Sequence, residues 1–362
     1  MKMEPQGYFH TFPAVQGIQA GRPFFIAMCP LRLVPRLFVF DEEEVPPEMR
    51  AQRTLNRSRV PEIADYLASH PDSYILSALT ASIDGEVNFL PLDPSNQAAL
   101  GLLQIPMGAS ILINDGQHRR AAIEEAIKQR PELGQDNVPV LFFVDGGLKR
   151  SQQMFADLNK YAVRPSYSLG TLYDHRDPGS ELARFLASAC LTFKGLTEME
   201  KSTISNRSTK LFTLSSIKHA SRALLRKQAK QDVSPEEQLL AKEFWDAVGE
   251  HILDWERARM RDVATSELRQ DFVHAHGVTL QAIGIAGAAL LQTNPKNWRT
   301  LLPALRRLDW ARSNPAWEGR AMQMGRISKS NASVQLSANY LKVALGLKLA
   351  PEEQALEDQL KQ

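Results

Sequence analysis

The chain has 362 residues, with 43 Lys and Arg against 41 Asp and Glu, and its formal net charge of +2 identifies no partner by itself. That length suffices for two domains, each burying its own core. Only 2 Cys occur, Cys29 and Cys190, which excludes a disulfide framework and makes a reducing cytoplasm the expected location.

The first residues, with Glu4, Pro5 and His10, do not read as a signal peptide, and the apolar run Phe24 to Leu31 is interrupted by Pro30. In chain order, Pro23 to Cys29, Leu37 to Phe40, Tyr74 to Ser82, Glu86 to Leu90, Ala109 to Ile113 and Val138 to Val144 read as strands, with Asp84-Gly85 marking a hairpin. Helices alternate with them at Pro61 to Ser69, Ser95 to Gln104, Gln117 to Gln129 and Leu148 to Asn159. Such alternation predicts a sheet with helices packed on it. After Pro165 the strand pattern fades, and helices are predicted at Gly179 to Ala189, Leu211 to Gln231, Pro235 to Ala258, Val278 to Gln292, Trp298 to Leu305, Ala338 to Leu345 and Pro351 to Leu360. The fold class is therefore α+β: a mixed α/β domain over residues 1–165, then an all-helical domain over 166–362. The most apolar stretch, Val278 to Leu291, is too short to cross a bilayer, so no membrane role is expected.

The chemically densest segment is Asp115-Gly116-Gln117-His118-Arg119, where a β-branched apolar strand hands over to a helix. Asp115 suits a helix cap, and Gly116 permits a tight turn with close backbone approach. The first helical turn presents unpaired N–H groups, and His118 and Arg119 add donors, which together suit a phosphate or nucleotide. Spacing turns Arg119 toward the sheet edge and leaves Arg120 facing solvent. A capped surface helix with solvated cations fits the same pattern.

Charge is uneven. Residues 1–200 carry 19 Lys and Arg against 24 Asp and Glu, whereas 201–362 carry 24 against 17. The excess is densest between Lys194 and Lys230, and includes Lys201, Arg207, Lys210, Lys218, Arg222, Arg226 and Lys227. Lys218, Arg222 and Arg226 step by four, so one helix face could track a nucleic-acid backbone, with affinity falling as salt rises. An ordinary solvated face is the alternative.

Other features carry less. Cys29 ends an apolar strand near Arg32, which would lower its thiol pKa and suit a redox switch; a small buried hydrophobe is the alternative. His274 and His276 lack partners at zinc-site spacing, so no metal is expected. Asp271 to Leu291 has the outline of a helix-turn-helix, yet Gly284, Ala286, Gly287 and Ala288 suit tight helix packing better than base reading.

The motif Asp115 to Arg119 resembles that of the DGQHR-domain proteins, which are similar to the ParB and sulfiredoxin-like fold. The likeness extends through Gln52-Arg53 to Arg59, Pro61 to Leu67, and Phe155 to Lys160. It implies a nucleotide or phosphate site, to which Arg53, Asn56, Arg57, Arg59 and Asn159 would contribute; from spacing alone these are surface residues. Leu308-Asp309-Trp310 and Trp317 to Arg320 resemble a narrower group, the DNA sulfur modification proteins. That resemblance implies a repressor of the phosphorothioate modification genes, bound to double-stranded promoter DNA, with no cofactor established. A ParB-like nuclease or nucleotide hydrolase is the other reading, with Asp115, His118 and Arg119 as its catalytic groups. A single acidic residue in the motif is little for two-metal chemistry. The sequence leaves homo-oligomerisation open.

Overall fold

The computed structural model describes residues 8–38, 59–93, 99–144, 154, 157–158 and 165–360. Two compact units divide the chain, Met1–Val163 and Arg164–Gln362.

Among the described residues the first unit is built on seven strands: β1 (Phe9–Gln19), β2 (Arg22–Pro30), β3 (Leu79–Asp84), β4 (Asn88–Pro91), β5 (Leu100–Pro106), β6 (Ser110–Asp115) and β7 (Asn137–Val144). Their order across the sheet is β4-β5-β1-β2-β7-β3-β6. Every pairing is antiparallel except β3 with β7. The helices packed with them include α1 (Val34–Leu37), α2 (Arg59–Ser69) and α3 (Gln117–Gln129), and Met154, Asp157 and Leu158 are also helical. Along β2, Phe25, Ala27 and Cys29 are buried, and with Ala122, Ile123 and Ala126 of α3 and Ala64 and Leu67 of α2 they form one apolar core. The period of two in the strand meets the helical period in α3, which is why this face closes.

Three expectations change here, and one strand is unforeseen. Leu37 closes the short helix α1 instead of opening a strand, because Pro35 at its first turn sets a helical φ; Val39 and Phe40 on its far side lie outside the described residues. Leu100–Pro106 is strand rather than helix: Gly101, Leu103 and Ile105 are buried at a period of two, a pattern that the leucine spacing masks. Strand β1 leaves no clear signal in the sequence, since Pro13 and Gly17 interrupt it. Gly17 faces Phe24 across the β1–β2 pair, where a Cβ would lie 2.5 Å from that ring. Finally, Asp84 ends β3 and Gly85 bends the chain, but they form no hairpin, because β4 pairs with β5 and β3 with β6 and β7. Most of the helix expected over Leu148 to Asn159 lies outside the described residues.

The second unit contains α4 (Tyr167–Tyr173), α5 (Pro178–Ala189), α6 (Leu214–Leu224), α7 (Pro235–Gly249), α8 (Leu253–Met260), α9 (Thr265–Asp271), α10 (Gly277–Thr293), α11 (Asn331–Ala344) and α12 (Pro351–Leu360). It is not all-helical. Thr197–Glu198 pairs in parallel with Phe212–Thr213, and Met322–Gln323 pairs antiparallel with Arg326–Ile327. Helix α7 starts on a complete capping box between Ser234 and Glu237. The long helix expected over Pro235 to Ala258 breaks after Gly249, where a Cβ would lie 2.2 Å from Thr192 Oγ1. Trp298–Arg307 winds as a 3-10 helix around Pro303, which lacks an N–H for regular α-helical bonding. The core gathers Trp245, Trp255, Trp317, Phe193, Phe212 and Phe244 around α10. Gly284 of α10 approaches the Ala220 carbonyl of α6 so closely that a Cβ would lie 2.2 Å from the oxygen. The small residues of α10 therefore serve helix packing, as their spacing suggests.

Candidate functional site

The DGQHR segment forms the turn from β6 into α3. Gly116 is the N-cap with φ of 106°, a left-handed conformation that favours glycine, and among the described residues no side chain caps the helix. The Asp115 carboxylate does not cap either. It accepts instead from Arg119 Nη2 at 2.8 Å, one turn along. Gln117 is buried, with its Nε2 donating to the Ile113 carbonyl at 3.4 Å. His118 is half-buried in the first turn of α3.

Arg119 leans inward toward the sheet edge, as the spacing requires. Its Nη1 donates to the carbonyls of Ser77 at 3.0 Å and Ala78 at 3.1 Å, and also to Ser77 Oγ. The guanidinium thus ties the segment leading into β3 to the start of α3. Arg120 does not face solvent. It pairs with Glu124 at 2.8 Å and donates to the Pro35 carbonyl at 2.7 Å, bracing α1 against α3.

Of the companion residues, Arg59 begins α2 and is exposed. Arg53, Asn56, Arg57 and Asn159 lie outside the described residues. Cys29 is fully buried, and burial pushes its thiol up to about 12. That is opposite to the lowering expected from Arg32, whose Nη1 donates to Gln135 Oε1 at 2.5 Å. A buried, protonated thiol is a poor nucleophile.

In the second unit the predicted basic face is largely drawn into internal contacts. Helix α6 ends at Leu224, so Arg226, with φ of 56°, lies beyond it and no single helix face carries all three cations. Lys218 Nζ sits 2.6 Å from Asp177 and 3.0 Å from Ser180 Oγ. The Arg222 side chain packs over Gly179. Lys227 pairs with Glu237 at 2.8 Å, and Lys210 donates to the Gly195 carbonyl at 2.9 Å. Arg226 donates to Gln292 Oε1 at 2.7 Å. By contrast Lys201, Arg207 and Lys230 are exposed, and among the described residues no carboxylate lies within ion-pair distance of them.

The two histidines are structural in their contacts. The Trp255 indole N–H donates to His274 Nδ1 at 3.1 Å. Since an indole can only donate, the His274 proton sits on Nε2, 3.3 Å from Asp254. His276 Nε2 donates to the Arg269 carbonyl at 2.8 Å. Among the described residues, no group of three His, Cys, Asp or Glu could hold a metal ion, and no helix is long and apolar enough to cross a membrane.

The model of the DndB family, described as DNA-sulfur modification-associated, matches residues 12–348. Neither a curated protein nor a solved structure matches the chain.

Proposed function

The chain belongs to the DndB family of DNA-sulfur modification-associated proteins, and from that premise we propose that it is a transcriptional repressor. In this reading it binds double-stranded promoter DNA and controls the gene cluster for phosphorothioate modification. One observation carries the DNA contact: the exposed, unpaired cations Lys201, Arg207 and Lys230, in the part of the chain with 24 Lys and Arg against 17 Asp and Glu. Cations already paired with carboxylates gain little from a phosphate, because the new contact replaces an existing one. Unpaired ones release counterions when they reach the backbone.

Two finer readings accompany this proposal. The helix-backed mixed sheet, with DGQHR at a strand-to-helix turn, supports a ParB and sulfiredoxin-like architecture for residues 1–165. The uncapped start of α3 supports an anion at that turn as a gate on DNA binding. The hydrolase alternative is weaker, because Asp115 and Arg119 neutralise one another.

The test is binding of the full chain to duplex DNA from upstream of its own gene, measured at several salt concentrations. Lys201→Glu with Arg207→Glu is expected to weaken binding and reduce the slope of log affinity against log salt by about 2. A binding curve unchanged in both affinity and slope removes these residues from the interface.

A further inference from the structure

A concave site lies wholly within the second unit, and its wall includes Ser202 and Asn206, the chain neighbours of Lys201 and Arg207. It is a cleft of about 750 Å³ with Ser202, Ser266, Arg269, His276, Arg312 and Lys329 among its walls, and none of the described residues lining it is Asp or Glu. Its volume lies within the range of about 300–1,000 Å³ usual for small-molecule sites.

The charge in this cleft is unbalanced and held in place. Arg269 donates to the carbonyls of Ser205, at 2.9 Å, and Lys210. Arg312 donates to the carbonyls of Gln270 at 2.9 Å and Gly325 at 3.0 Å. Neutral carbonyls orient these guanidiniums but do not cancel their charge. Lys329 is exposed, with no carboxylate partner among the described residues. Three cations around a concavity with low-dielectric walls focus a positive potential into it.

Two further features face the same way. Helix α10 has 17 residues and opens on the cleft at Gly277, with His276 as N-cap and no side-chain cap. Its first-turn N–H groups and dipole favour a negative charge there. Gly277 lets the start of α10 pack closely on Ser216 of α6, since a Cβ there would lie 2.9 Å from that of Ser216. Ser202, in the cleft wall, also carries a buried hydroxyl oxygen with no hydrogen-bond partner among the described residues. Buried polar atoms are normally satisfied, so an unpaired one in the wall of a cationic cleft fits a ligand's presence there.

We propose that this cleft binds the phosphate of a nucleotide-sized phosphorylated molecule, with Arg269, Arg312 and Lys329 supplying charge and the start of α10 supplying backbone donors. A small molecule can enter such a concavity, whereas a duplex meets a surface. The proposal does not depend on the DNA-binding reading.

The experiment is calorimetric titration of the full chain with ATP, pyrophosphate and adenosine. ATP and pyrophosphate are expected to bind, and adenosine is not. Lys329→Glu, at an exposed unpaired position, and Ser266→Glu, which adds a carboxylate to the wall, are each expected to weaken ATP binding by about tenfold and to leave the unliganded melting temperature unchanged. Amide exchange at Gly277 to Thr279 should slow when ATP is bound, a readout that does not depend on any variant folding. The proposal fails if neither phosphate compound binds at millimolar concentration, or if both variants bind ATP as the parent does. Promoter binding by the same variants separates the two readings: intact DNA binding with lost ATP binding supports a distinct small-molecule site, and loss of DNA binding alone overturns it.

Discussion

The Lys218 ammonium lies 2.6 Å from the Asp177 carboxylate, and that carboxylate accepts from the Ser180 backbone N–H at 2.8 Å as the N-cap of α5. A residue that its spacing assigns to DNA thus secures a helix start within its own unit. Lys218→Met is expected to cost about 1–3 kcal/mol, read by urea denaturation. Burial raises the Asp177 carboxyl, but Lys218 and Ser180 outweigh it and hold it below its ordinary 3.8. A depressed folded-state value stabilises above the unfolded-state value, and that contribution disappears as pH falls through the folded one. The acid limb below roughly pH 4 should therefore flatten in Lys218→Met. An identical limb in both proteins would show that the pair contributes nothing.

Gly116→Ala and Gly21→Ala compare packing with backbone strain. Both glycines have positive φ, at 106° and 74°, but a Cβ on Gly116 would lie 2.4 Å from Leu79 Cδ2, whereas Gly21 has open space around it. The expected losses are about 1 kcal/mol at Gly21 and about 2–4 kcal/mol at Gly116. Equal losses by chemical denaturation would mean that Leu79 yields freely.

Gly284→Ala should destabilise by about 1–3 kcal/mol, because the new methyl meets the backbone oxygen of Ala220, which cannot rotate away. Gly170→Ala, within α4 with nothing inside 4 Å, should instead stabilise by about 0.5–1 kcal/mol through the unfolded chain. Thermal melting of the two variants checks both signs.

His276 gives the second unit a pH dependence of its own. Burial, with the charges of Arg312 and Lys329 added, pushes its imidazole from 6.5 down to about 4, against the opposing hydrogen bond to the Arg269 carbonyl. The unfolded chain then takes up a proton before the folded one does, so stability is full above about pH 6.5 and falls as pH drops toward 4. His274, lowered by its burial, acts in the same direction. His276→Gln should remove up to about 3 kcal/mol of that dependence, read as the change in urea midpoint between neutral and mildly acid buffer. Parallel pH profiles for variant and parent would exclude a neutral His276.

The sequence by itself determined those features whose causes are neighbours in the chain. The Gln117–Gln129 and Pro351–Leu360 helices have the bounds read from the pattern, and the Gly116 turn follows from one residue's freedom of φ. Strands β1 and β5 escape a reading of the sequence because Pro13 and Gly17 break one pattern, while the leucines of the other satisfy two periods at once. Tertiary structure alone decided where the charges go. Lys218 meets Asp177, Arg120 meets Pro35, and Arg269, Arg312 and Lys329 gather at one cleft. Electrostatic pairing depends on distance in space, and residues from separate elements leave no periodic trace of their meeting.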